Sequence, residues 1–136
     1  MSPRGASRAT DCTPAEARSR RDQGRAFLDV ADILLNEPAT RAETHVAAAL
    51  AVLAPIAADD AICGLRLGRY SRGQDHNQAA ALLETVDLTD RTLPAKLRRV
   101  LASKDTVHYS PRLISATDAS ALVRQARSLV DAAERL

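Results

Sequence analysis

Between Thr40 and Gly68 runs a stretch dominated by alanine and large aliphatic residues, with Val46, Ala49, Leu50, Leu53, Ile56, Ala57, Ile62 and Leu65 recurring three and four positions apart. That spacing is the signature of a helix, and so many small side chains let neighbouring helices approach closely. The stretch therefore predicts the central helix of a helical bundle. Gly68 is placed to close it as a C-terminal glycine cap. Pro55 interrupts it, removing one backbone donor and crowding the preceding turn, so a kink or a split into two helices is expected there.

The rest of the chain supplies partners for this helix. Thr13-Pro14-Ala15-Glu16 offers an N-cap hydroxyl, a proline at the first helical position and a glutamate that completes a capping box. A first helix should run from there to about Asn36, ended by Glu37-Pro38, with Ala26, Phe27, Val30, Ile33 and Leu34 as its core-facing stripe. A third helix carries Ala79, Leu82, Leu83 and Val86 with Asp75 as a cap. A short fourth carries Leu93, Leu97, Val100 and Leu101. The last opens at Thr117-Asp118-Ala119-Ser120 and carries Leu122, Val123, Ala126, Leu129, Val130 and Ala133. No repeat, strand pair or hairpin signal is present. Short connections between amphipathic helices favour neighbours that run antiparallel. The expected fold is all-α, an up-and-down antiparallel bundle of four to five helices.

Hydrophobic residues make up 46% of the 136 positions while aromatics make up 2%, which argues against disorder and for close helix packing. Residues 1–12 lack periodicity and read as a disordered tail, leaving 13–136 as one helical domain. The net charge of +2 is mildly basic, with the excess at Arg4, Arg8, Arg18, Arg20, Arg21 and Arg25. Such a run is ordinarily a solvated face, and global charge alone does not establish nucleic-acid binding. Cys12 and Cys63 match no metal spacing, and Asp59-Asp60 lacks the further carboxylates a metal site needs. With no signal-peptide core and no apolar run long enough to span a bilayer, the expectation is a cytoplasmic protein without membrane, metal or cofactor.

Chemistry concentrates in Ser103-Lys104-Asp105-Thr106-Val107-His108-Tyr109-Ser110, a polar joint between two helical patterns. A cation, an imidazole and a phenol fall within six residues of a chain that has three His, two Tyr and no Trp. Two readings stand side by side: hydrogen bonding that closes the bundle end, or handling of a phosphate. His76 sits where a helix begins and reads first as a capping or surface residue, and His45, followed by Val46 and alanines, as a packing or surface one.

The order of these elements over roughly residues 24 to 136 resembles the HEPN family (higher eukaryotes and prokaryotes nucleotide-binding). The resemblance rests on Phe27-Leu28-Asp29-Val30-Ala31-Asp32-Ile33-Leu34-Leu35, the alanine-rich helix, Gln74-Asp75-His76-Asn77-Gln78-Ala79-Ala80-Ala81-Leu82-Leu83, the His108-Tyr109 joint and the Ala126 to Ala133 segment. It implies a helical domain that dimerises. Many such proteins are metal-independent ribonucleases or toxins; others are inactive partners or nucleotide-binding modules. Their nuclease motif is an arginine followed after four to six residues by a histidine, and the matching place here, Lys104 to His108, departs twice: the cation is lysine and three residues intervene.

An ammonium is a point charge where a guanidinium grips phosphate with two parallel bonds, so the lysine weakens geometry most. Arg98, Arg99 or Arg112 are the candidates to supply a guanidinium. Arg69 and His76 satisfy the interval between other helices. If the two loops share one end of the bundle, as a straight count of antiparallel helices gives, Arg69 or Arg72 would face His108.

On this resemblance His108 is the acid/base, Lys104 the phosphate cation, and Tyr109 a residue that stacks, positions phosphate, or is modified by a nucleotidyltransferase partner. The expected function is that of a toxin or defence-type protein acting on RNA as a homodimer. The alternative is a non-catalytic module binding a nucleotide, nucleic acid or protein partner.

Overall fold

The computed structural model describes residues 9–37, 39–72 and 76–136. Two strands and six helices follow in the order β1 (Ala9–Asp11), α1 (Pro14–Asn36), α2 (Arg41–Leu67), β2 (Arg69–Ser71), α3 (His76–Glu84), α4 (Leu93–Ala102), α5 (Lys104–Tyr109) and α6 (Ala116–Glu134). The chain is an all-α bundle with one two-stranded ribbon at its edge.

Local chemistry sets the helix starts. Thr13 accepts the Glu16 N–H at 3.1 Å while the Glu16 carboxylate accepts the Thr13 N–H at 2.9 Å. Thr40 and Glu43 repeat the same reciprocal box at the head of α2, satisfying donors that a helix start leaves unpaired. In α6 the cap is Ser115, which accepts from Asp118 N–H at 3.1 Å, so that helix opens ahead of the expected Thr117. Gly68 closes α2 at φ 72°, a left-handed conformation that other residues adopt at a cost. The proposed Asp75 cap and Pro38 lie outside the described residues.

Helix α2 runs unbroken for 27 residues through Pro55, so the expected split does not occur. Its length and composition would suffice to cross a membrane, but 72% of that apolar stretch is buried inside the bundle, as in the core helix of a soluble protein. Pro55 itself is enclosed, and packing around the helix outweighs the lost backbone bond.

The α1 face that packs on α2 is not the one expected. Val30 and Ile33 are 46% and 60% exposed and Ala26 is exposed, whereas Ala17, Gly24, Leu28 and Ala31 are buried. Size decides this. The α2 surface is largely alanine, so burial is maximised where α1 comes close, and close approach demands small residues. A Cβ at Gly24 would lie 3.2 Å from the Ala54 carbonyl oxygen, and one at Gly64 would lie 2.6 Å from Cys12 Sγ and 2.8 Å from Ala17 Cβ.

Residues 9–12, expected in a disordered tail, are structured. Ala9, Thr10 and Asp11 pair antiparallel with Ser71, Tyr70 and Arg69, Cys12 N–H donates to the Gly68 carbonyl at 2.8 Å, and Cys12 is buried. This strand pair, absent from the sequence expectation, joins segments some sixty residues apart, so no local pattern announces it.

Helix α6 runs antiparallel to α1, held by Arg25 to Asp131 at 2.9 Å and to Glu134 at 2.5 Å, and by Arg127 to Asp32 at 2.6 Å. The buried faces of α4 and α6 are the expected ones: Leu93, Leu97, Val100 and Leu101, and Leu122, Val123, Ala126, Leu129, Val130 and Ala133. Much of the basic stretch in α1 is committed internally, since Arg20 and Arg25 both hold carboxylates of other helices.

Candidate functional site at the fifth helix

The polar joint is a short helix, α5, rather than an irregular turn. Val107 is buried at 2% exposure and fixes it to the core, which leaves Lys104 and His108, four positions apart, on one side of the helix. Tyr109 projects outward, 77% exposed, with its ring centroid 6.2 Å from that of His108. Arg112 follows in an exposed turn whose Arg112 N–H donates to Ser110 Oγ at 3.1 Å.

His108 Nε2 is buried and has no hydrogen-bond partner. Burial first, then the Lys104 ammonium and then His45 hold the His108 imidazole below its ordinary pKa. It is therefore neutral at physiological pH, with an unused polar atom, which is the protonation state a general base needs.

His45, at the head of α2, is the residue that sequence reasoning passed over. Its Nε2–H donates to the Val107 carbonyl at 2.5 Å, and its Nδ1 accepts the Ile114 N–H at 3.0 Å. Donating at one ring nitrogen while accepting at the other requires the neutral ring with its hydrogen on Nε2. One side chain thus ties α2 to both ends of the segment bearing His108, Tyr109 and Arg112. Nothing local could reveal this, because both partners are backbone groups more than sixty positions away.

The other expected phosphate ligands are not assembled here. The α5 segment packs at the N-terminal end of α2, through His45, whereas Arg69 lies beyond the C-terminal end and Arg72 one residue past β2. Twenty-two residues of helix separate His45 from Leu67, roughly 33 Å at about 1.5 Å per residue. Arg69 and Arg72 therefore do not face His108. The backbone of His76 begins α3, the element after β2.

The straight helix count fails because α3 has 9 residues, about 14 Å, and does not traverse the 27-residue α2. Instead Leu93 at the start of α4 lines a cavity with Arg66, near the α2 C-terminus, so α4 begins at the end where α2 finished. Arg98 is bound to Glu84 of α3 at 2.6 Å, and Arg99 is exposed on α4. The structure brings together Lys104, His108, Tyr109, Arg112 and His45.

A second polar cluster lies inside the bundle. Arg20 of α1 donates from Nε and Nη2 to the same oxygen of Asp60, at 3.0 and 2.8 Å, and Cys63 Sγ donates to Asp59 Oδ1 at 3.4 Å. Burial, reinforced by the neighbouring Asp60 charge, pushes the Asp59 carboxyl up to about 8. Burial also raises Asp60, to about 6, with Arg20 opposing it. The Cys63 thiol is pushed up by burial and by both carboxylates, which leaves it unreactive. Asp59 thus keeps its proton at neutral pH while Asp60 is the ionised partner of Arg20. The sequence signal was available: adjacent carboxylates inside an apolar helix must find partners. Among the described residues no three His, Cys, Asp or Glu side chains are grouped to hold a metal ion.

No protein-family model matches this chain, and neither a curated protein nor a solved structure matches it.

Proposed function

We propose that the α5 end is a HEPN-like site that acts on the phosphodiester backbone of RNA without a metal. The observation that carries this reading is the neutral His108, its Nε2 unpaired, one turn from the Lys104 ammonium. In the proposed reaction His108 takes the proton of a ribose 2′-hydroxyl, the 2′ oxygen bonds to phosphorus, and the bond to the 5′ oxygen breaks. That oxygen leaves with a proton returned to it. Lys104 and Arg112 stabilise the charge that gathers on the phosphate, and the exposed Tyr109 ring offers a stacking surface for a base. As in the family it resembles, the reading has two copies of the chain forming the cleft.

A second reading, a module that binds nucleic acid or nucleotide without cleaving it, is favoured by two observations. The Nε2 atom is shut off from water, and Arg98, the guanidinium on the preceding helix, is already spent on Glu84.

Incubating a mixed RNA pool in EDTA with the purified protein and with His108→Ala, folding verified by circular dichroism, decides between them. Cleavage lost in the variant is the result expected. Retention of RNA by an uncleaving protein, weakened by Lys104→Gln, would establish the binding module instead. Equal cleavage by both proteins would remove His108 from the chemistry.

A further inference from the structure

A cavity of about 310 Å³ opens at the opposite end of α2 from His108, lined by Ala9 of β1, Arg69 and Ser71 of β2, and Gln78, Ala81, Leu82 and Thr85 of α3. Among the described residues, four buried side-chain polar atoms have no hydrogen-bond partner, and two of them, Ser71 Oγ and Gln78 Oε1, belong to residues lining this one cavity. Leaving such atoms unpaired costs stability, so their concentration at one place calls for a missing partner. Thr85 does not share this property, because its hydroxyl donates to the Leu82 carbonyl at 2.7 Å. Arg69 is exposed, and among the described residues no carboxylate lies within ion-pair distance of it.

The geometry points to a binding site for a small amino acid with an apolar side chain. Each part of such a molecule has a counterpart. The guanidinium of Arg69 takes the carboxylate, for which its fork is suited. The two unpaired oxygens both accept, and an ammonium group donates to both. The methyl groups of Ala9, Ala81 and Leu82 receive the aliphatic side chain. The volume sits at the small end of ligand pockets and suits a molecule of that size. This site is separate from the α5 end and does not depend on the reading of that end as an RNA site.

The test is a titration of the full chain, followed by amide NMR, with leucine, with 4-methylpentanoate, which lacks the amine, and with isoamylamine, which lacks the carboxylate. Leucine is expected to shift amides of β2 and α3 saturably by about 10 mM, ten times a millimolar dissociation constant. Either truncated analogue should bind at least about tenfold more weakly, and Arg69→Gln should weaken leucine by a similar factor.

Gln78→Met provides an independent readout. Removing the unpaired oxygen should raise the melting temperature of the empty protein, abolish the preference for leucine over 4-methylpentanoate, and leave the affinity for 4-methylpentanoate unchanged. No saturable shift with leucine, or equal binding of leucine and isoamylamine, would overturn the assignment. So would a Gln78→Met protein that keeps its preference for leucine.

Discussion

Replacing Arg20 by Met should destabilise the protein by an amount that depends on pH, and the size of that dependence follows from Asp60. The native carboxyl is raised from an ordinary 3.8 to about 6, burial pushing it up and Arg20 holding it down. Because the folded state binds this proton more tightly than the unfolded chain, stability contributed through Asp60 is present at low pH and is lost as pH rises between about 4 and 6. Without Arg20 both restraining influences vanish, the native carboxyl titrates higher still, and the loss continues beyond that window.

Each further pH unit is worth about 1.4 kcal/mol, so at about pH 8 the variant should lie ~2.7 kcal/mol further below the native protein than at about pH 5. A roughly pH-independent ~1 kcal/mol is added for the packing of the arginine stem and the bond to a neutral carboxyl. The Arg20 side chain is 31% exposed and Asp60 10%, so the pair is enclosed enough for the comparison to hold. Urea unfolding at the two pH values, followed by far-ultraviolet circular dichroism because the chain has no Trp, measures both differences. Equal destabilisation at both would refute the assignment of Asp60 as the ionised partner. Adding Asp60→Asn to the variant should abolish the extra loss at high pH.

Three further outcomes are expected. Gly64→Ala should cost about 1 to 2 kcal/mol despite the better helix propensity of alanine, because its Cβ meets Ala17 Cβ on the backbone of α1; Gly24→Ala, with a looser 3.2 Å contact, should be closer to neutral, and denaturant midpoints compare the two. His45→Ala should strand the Ile114 N–H and the Val107 carbonyl, lowering stability by about 1 to 3 kcal/mol and speeding hydrogen exchange of the Ile114 amide well beyond any change in α1. In any RNA cleavage by His108, the acid limb of kcat/KM should fall below the ordinary histidine value of about 6.5, since the base form persists to lower pH; Lys104→Gln should move that limb upward, and a pH-rate profile of both proteins reads it.

The helix boundaries, the order of the helices and the all-α class follow from the sequence because their causes are local. Thr13 with Glu16, Gly68 and the stripes of α4 and α6 act within a few residues of themselves, and each is legible where it stands. At the candidate site the same locality places Lys104 and His108 on one helical face.

What surrounds them was decided only in three dimensions. His45 reaches α5 because the head of α2 lies beside it, and Arg69 is excluded because α3 is too short to cross the bundle. The α1 helix turns its larger aliphatic residues outward because the alanine surface of α2 rewards the closer approach of Ala17, Gly24 and Ala31. Periodicity tells how an apolar stripe is spaced. Which of two stripes is buried depends on the shape of the partner, and that shape exists only once the helices have met.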